Sequence, residues 1–453
     1  MTSATVPRNR RYRRLIAGVV CMCVASCTVT GADLGATQGA SMSSDATSGC
    51  TQRFSRVAAT SNLQWEVSGD FPVTAPVLSG DIVVFGSNTA SGATGCIVAV
   101  DAASGDVRWA QPDAIDKYTV PVAVDDRIIA AVNSGELVSY DRSNGKRRWS
   151  VRLSVSPTAT PVVDSGVVYA RADNTLKALD SATGAERWST RVASMGGHDT
   201  PFVNPTDVVA SGFGPNGDTF GLDRSTGAVL WHSRIGASDA NVWAVTPNAV
   251  VLQHPPNDLY GLDLTGGQQW SLVVRGSQQS PSVNRGDEVF FTADDDSVHA
   301  VDATTGRVEW TTFVGAFTGN PPLLAGDTLV TVGGTRLTVG GPNDMPWSLD
   351  VVALDIATGA ERWRSSSDLF PLPADLATTP FAAGGTMYVG FGFYPSTLGG
   401  VAALDPQTGA VLGTVLVPGP VHRTLASDDH QLYLRVGDHA IGAMQLPLVT
   451  PSS

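Results

Sequence analysis

Apolar and polar residues along this chain alternate in short runs separated by glycine, asparagine and aspartate. Typical pairs are Gly166-Val-Val-Tyr-Ala170 followed by Leu176-Lys-Ala-Leu179, and Glu288-Val-Phe-Phe-Thr292 followed by Val298-His-Ala-Val301. Runs of four to six β-branched and aromatic residues between turn-forming residues predict antiparallel strands. A further strand is predicted after each Thr-Pro or Ser-Pro, as in Thr160-Pro-Val-Val163, Thr200-Pro-Phe-Val203, Ser280-Pro-Ser-Val283 and Thr379-Pro-Phe-Ala382. No long stretch carries the 3.6-residue apolar spacing of an amphipathic helix, and 48 glycines and 27 prolines work against one.

The strands recur in register. Trp65, Trp109, Trp149, Trp188, Trp231, Trp270, Trp310 and Trp363 are separated by 44, 40, 39, 43, 39, 40 and 53 residues, a period near forty that marks a repeat architecture. From the second tryptophan onward a frame of Asp, three residues, Gly, three residues and Trp precedes the indole. It holds at Asp101/Gly105/Trp109, Asp141/Gly145/Trp149, Asp180/Gly184/Trp188, Asp223/Gly227/Trp231, Asp302/Gly306/Trp310 and Asp355/Gly359/Trp363. Two copies deviate: Asp263 reaches Trp270 with one residue fewer, and the copy at Asp405 and Gly409 ends at Gly413 where Trp is expected. Aspartate can bond backbone donors two residues on and glycine accepts positive φ, so the frame predicts a hairpin tip with the tryptophan strand returning from it. The indoles are expected to cover the face that each repeat shares with the next.

The phrase Ala353-Leu-Asp-Ile-Ala-Thr-Gly-Ala-Glu-Arg-Trp363 resembles the tryptophan-docking motif of pyrroloquinoline-quinone (PQQ)-like propellers, and the resemblance runs from about Trp65 to Gln445. It implies an all-β fold, a β-propeller of four-stranded antiparallel blades. Eight blades is the norm of that superfamily, whereas a direct count of repeat cores reaches nine, the last at Gln431 to Met444. The strand at Leu63-Gln-Trp-Glu-Val67 precedes the first core and is expected to complete the last blade, which closes the ring and removes exposed sheet edges. Two branches of the superfamily bear on function: the quinoprotein alcohol dehydrogenases, and the cofactor-free lipoprotein of the outer-membrane barrel-assembly machinery.

Four segments follow: an export signal at 1–27, a flexible tether at 28–60, the propeller at 61–447 and a disordered tail at 448–453. Arg8, Arg10, Arg11, Arg13 and Arg14 precede about a dozen apolar residues, a secretory signal too short to span a bilayer, and the arginine pairs leave Sec and twin-arginine export both open. Val24-Ala-Ser-Cys27 resembles a lipobox, which implies lipidation of Cys27 and anchoring on the extracytoplasmic face of the cell membrane; a plain signal peptide is the alternative. The Ser/Thr/Gly/Ala composition of 28–60 cannot bury a core. Cys50 and Cys96 then remain as an even pair in an oxidising compartment, either bonded or independent thiols.

The net charge of −13 grows more negative once five signal-segment arginines are removed, which speaks against nucleic acid as a ligand. Arginine far outnumbers the three lysines, a composition associated with high-GC genomes such as those of actinobacteria. The resemblance to quinoprotein dehydrogenases would imply PQQ and calcium, an adjacent cysteine pair and a catalytic aspartate; the adjacent pair has no counterpart in the mature chain. The seven histidines show no metal-ligand spacing, and Asp294-Asp-Asp296 falls where other copies have a turn. No catalytic residue, metal or cofactor is expected.

The expected function is therefore that of a non-catalytic scaffold, with envelope proteins or a small ligand bound at one mouth of the channel. The candidates precede the Pro-containing strands: His198, Asp199, Asn241, Gln279, Asn320, His422 and Arg423, with hairpin capping as the competing role. Two insertions, at 333–349 and 392–400, bring Trp347 and the aromatic stretch Phe391-Gly-Phe-Tyr394 into loops, where they serve either recognition or packing. A PQQ-dependent dehydrogenase of sugars or alcohols is the alternative function.

Overall fold

The computed structural model describes residues 44–57, 62–89, 94–115, 119–153, 159–172, 174–192, 200–211, 218–235, 241–254, 258–275, 280–315, 319–336, 347–365, 376–392, 398–421, 426–428 and 430–446. Cys27 and the segment around it lie outside these.

The alternating runs form nine antiparallel sheets. Seven are simple four-stranded blades in chain order, at residues 77–111, 122–152, 162–191, 202–234, 241–273, 283–313 and 323–364. Blade 8 spans 376–417, and its Thr386–Gly392 strand pairs with both Leu376–Ala377 and Phe381–Ala383. The count is nine, one above the norm that the resemblance implied.

Blade 9 is built from both ends of the chain. Gln431–Val436 and Ala440–Gln445 supply its middle, and β2 (Trp65–Gly69) pairs antiparallel with the latter, Trp65 opposite Ala443. The expected closure is present, with an addition. A helix α1 (Ser44–Arg53) leads into β1 (Phe54–Val57), which pairs outside β2 as a fifth strand. Part of the stretch read as a tether is thus folded. Its Ser/Thr/Gly-rich composition conceals a single large apolar anchor, Phe54, which is 2% exposed.

Each blade buries a cluster against its neighbour. Val83, Phe85, Val98 and Val100 of blade 1 join Tyr433, Ile441 and Ala443 of blade 9, and comparable clusters continue around the ring. No blade has a core of its own, so the ring is stabilised by contact between blades.

The described ends of the 333–349 insertion, 333–336 and 347–349, are strand. Thr328–Arg336 and Trp347–Asp355 pair as far as Arg336 opposite Trp347, which corrects the reading of a plain loop there. Phe391 corrects the second insertion: it lies in a strand opposite Gly400 and is fully buried between blades 7 and 8.

Candidate functional site

The recurring Asp, Gly and Trp residues form one structural device. The aspartate carboxylate accepts backbone N–H groups two and three residues on, as Asp101 does from Ala103 and Ser104 and Asp223 from Ser225 and Thr226. Glycine follows with positive φ, 74° at Gly105 and 69° at Gly145. The partner of each turn is the tryptophan of the preceding blade. Trp65 donates its indole N–H to the Ala102 carbonyl at 2.9 Å, Trp109 to Arg142 at 2.8 Å, Trp270 to Ala303 at 2.8 Å and Trp310 to Ile356 at 3.0 Å. Trp149, Trp188 and Trp363 do the same to Ser181, Arg224 and Pro406.

The glycines follow the same offset. Gly184 lies under Trp149, Gly227 under Trp188, Gly306 under Trp270 and Gly359 under Trp310. The indoles thus cover the face that each repeat shares with the next, as expected. The glycine packs against the indole of the blade before it, because the tryptophan of its own copy is carried onward to the next blade.

The shortened copy breaks the pattern. Gly266 still lies under Trp231, but the indole nitrogen of Trp231 is buried without a partner. The missing tryptophan at Gly413 also has a cause. Blade 9 receives its outer strand from the other end of the chain, so it has no Asp-Gly turn on which a tryptophan of blade 8 could dock. Asn62 bridges there instead, donating to the Leu416 carbonyl at 2.8 Å.

Hydroxyl groups and arginines hold the turn carboxylates in their ionised form. Asp141, Asp223 and Asp355 have pKa values lowered to about 2, chiefly by the Ser143 hydroxyl, the Ser225 hydroxyl and the Arg362 guanidinium respectively. These carboxylates are bound into turns, so they are not poised for proton transfer.

Because successive strands of a blade alternate in direction, the Asp-Gly turns emerge on one face and the connectors between blades on the other. The connectors are the longer elements, as between Arg191 and Phe202 or Arg364 and Leu376. The described ends of both insertions open on this same face. Two of the candidate mouth residues are described. Asn320 donates to the Ala377 carbonyl at 2.6 Å, a cap tying blade 7 to blade 8. Asn241 begins the inner strand of blade 5, and its side-chain oxygen is buried without a partner. His198, Asp199, Gln279, His422 and Arg423 lie outside the described residues.

A site the sequence did not reveal lies between the outer strand of blade 5, Gln268–Val273, and blade 6. It is a cleft of about 460 Å³ lined by Leu272, Val273, Val274, Val301 and Val308, with Asp295, Ser297, His299 and Thr311 as its polar members and Arg275 beside them. The His299 ring stacks on Phe291 with centroids 5.1 Å apart, its Nε2 lies 3.2 Å from Asp295 and its Nδ1 3.1 Å from the Thr311 hydroxyl. Burial lowers the His299 pKa despite the nearby Asp295 carboxylate, so the neutral ring donates to Asp295 and accepts from Thr311. Among the described residues no group of three His, Cys, Asp or Glu side chains could hold a metal ion.

Nine antiparallel blades, seven of them simple four-stranded sheets, with tryptophan docking at most of their junctions, define a PQQ-like propeller. The family described as outer membrane protein assembly factor BamB matches residues 93–256 and 256–426, and the chain belongs to that family. Among solved structures it is similar to BamB from Moraxella catarrhalis at 22% identity, over 73% of this chain and 97% of that one, with a TM-score of 0.49. The quinohemoprotein alcohol dehydrogenase ADHIIG from Pseudomonas putida HK5 is 15% identical over 89% of this chain and 79% of its own, with a TM-score of 0.52. The computationally designed Ika8 protein is 15% identical over 84% of this chain and 98% of its own, with a TM-score of 0.50. No curated protein matches the chain.

Proposed function

We propose that the protein is a non-catalytic scaffold of the cell envelope, held on the extracytoplasmic face by a lipid at Cys27 and binding partners on its connector face. The observation that carries this reading is the family match through both halves of the ring, residues 93–256 and 256–426. The engagement of the recurring Asp, Gly and Trp residues in docking adds support, because function resides in a site rather than in a fold.

The test is chemical crosslinking in intact cells followed by purification through a C-terminal tag. Envelope proteins recovered with the native chain and lost when residues 337–346 are replaced by a tight turn support the reading. An identical crosslinking pattern for the two chains would remove the connector face from it. The alternative, a PQQ-dependent dehydrogenase, draws on likeness of fold to ADHIIG. Saturable PQQ binding with Ca²⁺ and dye reduction by a sugar or an alcohol would establish it in place of the scaffold.

A further inference from the structure

We propose that the cleft between blades 5 and 6 is a docking site for an extended partner segment. That segment carries an aromatic residue flanked by basic ones and adds antiparallel to the outer strand Gln268–Val273. The inference rests on the scaffold reading and names the partner's chemistry.

The chain itself supplies the precedent. The pairing of Ile82 with Asp101 corresponds to that of Glu288 with Asp302, so Phe85 of blade 1 and Phe291 of blade 6 occupy matching places. By the same register Cys96, Val98, Val100, Val107 and Ala110 match Ser297, His299, Val301, Val308 and Thr311. In blade 1 the first set is covered by the N-terminal segment. Phe54 meets Phe85 edge-on at 5.6 Å, and Cys50 is bonded to Cys96. In blade 6 the matching set lines the open cleft. The molecule therefore shows once, with its own chain, how a strand added to a blade's outer edge places an aromatic ring between blades. At blades 5 and 6, Val274 and His299 fill the floor, so an entering ring sits further out than Phe54 does.

Two features of this edge favour an added strand. The position three residues after the docking tryptophan is Arg152, Arg191 and Arg234 in blades 2, 3 and 4, but Val273 and Phe313 in blades 5 and 6, each 68% exposed. Charged side chains on an edge strand discourage added strands, and Gln268–Val273 carries none. The turn Asp294–Asp-Asp296 adjoins the cleft and Asp295 lines it, which complements basic residues such as the Arg53 and Arg56 that flank Phe54.

The probe is a fluorescent peptide with the sequence of residues 51–60, titrated by anisotropy into the purified protein, whose own segment is retained by the Cys50–Cys96 bond. Saturable binding is expected, weakened at least tenfold by Phe54→Ala in the peptide and by Val273→Arg in the protein. Val273→Arg installs the residue that blades 2 to 4 carry, so its thermal midpoint should match that of the unchanged protein. Absence of saturable binding, or binding indifferent to Val273→Arg, overturns the proposal. So does a dimer in analytical ultracentrifugation that Val273→Arg dissociates, which would give the cleft to a second copy. None of these results bears on the envelope crosslinking that tests the scaffold reading.

Discussion

Trp65 lies against Gly105 of the next blade so closely that a Cβ on that glycine would stand 2.6 Å from the indole. The same relationship recurs from Trp109 with Gly145 to Trp363 with Gly409, so the glycine of each turn is dictated by the blade before it as well as by its own positive φ.

Gly105→Ala should therefore cost more than the backbone term alone. Gly286, also at positive φ (61°), has nothing within 4 Å of the place a Cβ would take, so Gly286→Ala isolates the conformational penalty of about 1–2 kcal/mol. Overpacking against Trp65 should add about 1–3 kcal/mol to the Gly105 variant. Denaturant unfolding of the two variants measures the difference, and equal losses would contradict the docking role.

Trp109 and Trp231 should respond differently to phenylalanine. Trp109→Phe loses the bond to the Arg142 carbonyl and leaves that acceptor bare, whereas the buried Trp231 nitrogen has no bond to lose. The first substitution should be about 1–3 kcal/mol more destabilising than the second, read from chemical denaturation.

Acid should loosen the ring in two stages. The His299 pKa is depressed below its ordinary 6.5, so the folded form resists protonation; its contribution is complete above that value and is lost as pH falls below it. The turn carboxylates are also depressed, from 3.8 to about 2 at Asp141, Asp223 and Asp355. Their contribution is complete above the ordinary value and is lost as pH falls towards 2. Thermal midpoints measured across this range should show both steps, and His299→Phe should remove only the upper one.

Cys27→Ala should yield a product that no longer partitions into detergent, while the unchanged chain does. Equal release of the two into the medium would reject the lipid anchor.

The blade repeat was legible because the period is carried by tryptophan, aspartate and glycine at fixed spacing, and even the defects at Asp263 and Gly413 were visible. Their meaning was not. Each frame reads as one phrase, yet Trp109 docks on the phrase that follows it, and only the three-dimensional neighbour shows why Gly413 has no indole. The folded stretch at 44–57 was missed because four strand residues behind a Ser/Thr-rich helix carry almost no periodic signal, and pairing with β2 supplies what local propensity lacks. Phe391 misled for the opposite reason: an aromatic residue in surplus length looked like a loop contact and lies in the core. The open cleft at His299 left no mark, since its lining comes from two blades whose residues are individually ordinary.

The bond between Cys50 and Cys96 also sets a mechanical path. Tension applied to the chain ahead of Cys50 reaches blade 1 directly through the disulfide, bypassing β1, β2 and the seam where β2 meets Ala440–Gln445. With the bond intact the seam is unloaded and the ring resists a pull from that side as a closed hoop. Once the bond is reduced, the same pull peels β1 and then β2, and the hoop opens at the one blade made from both ends of the chain.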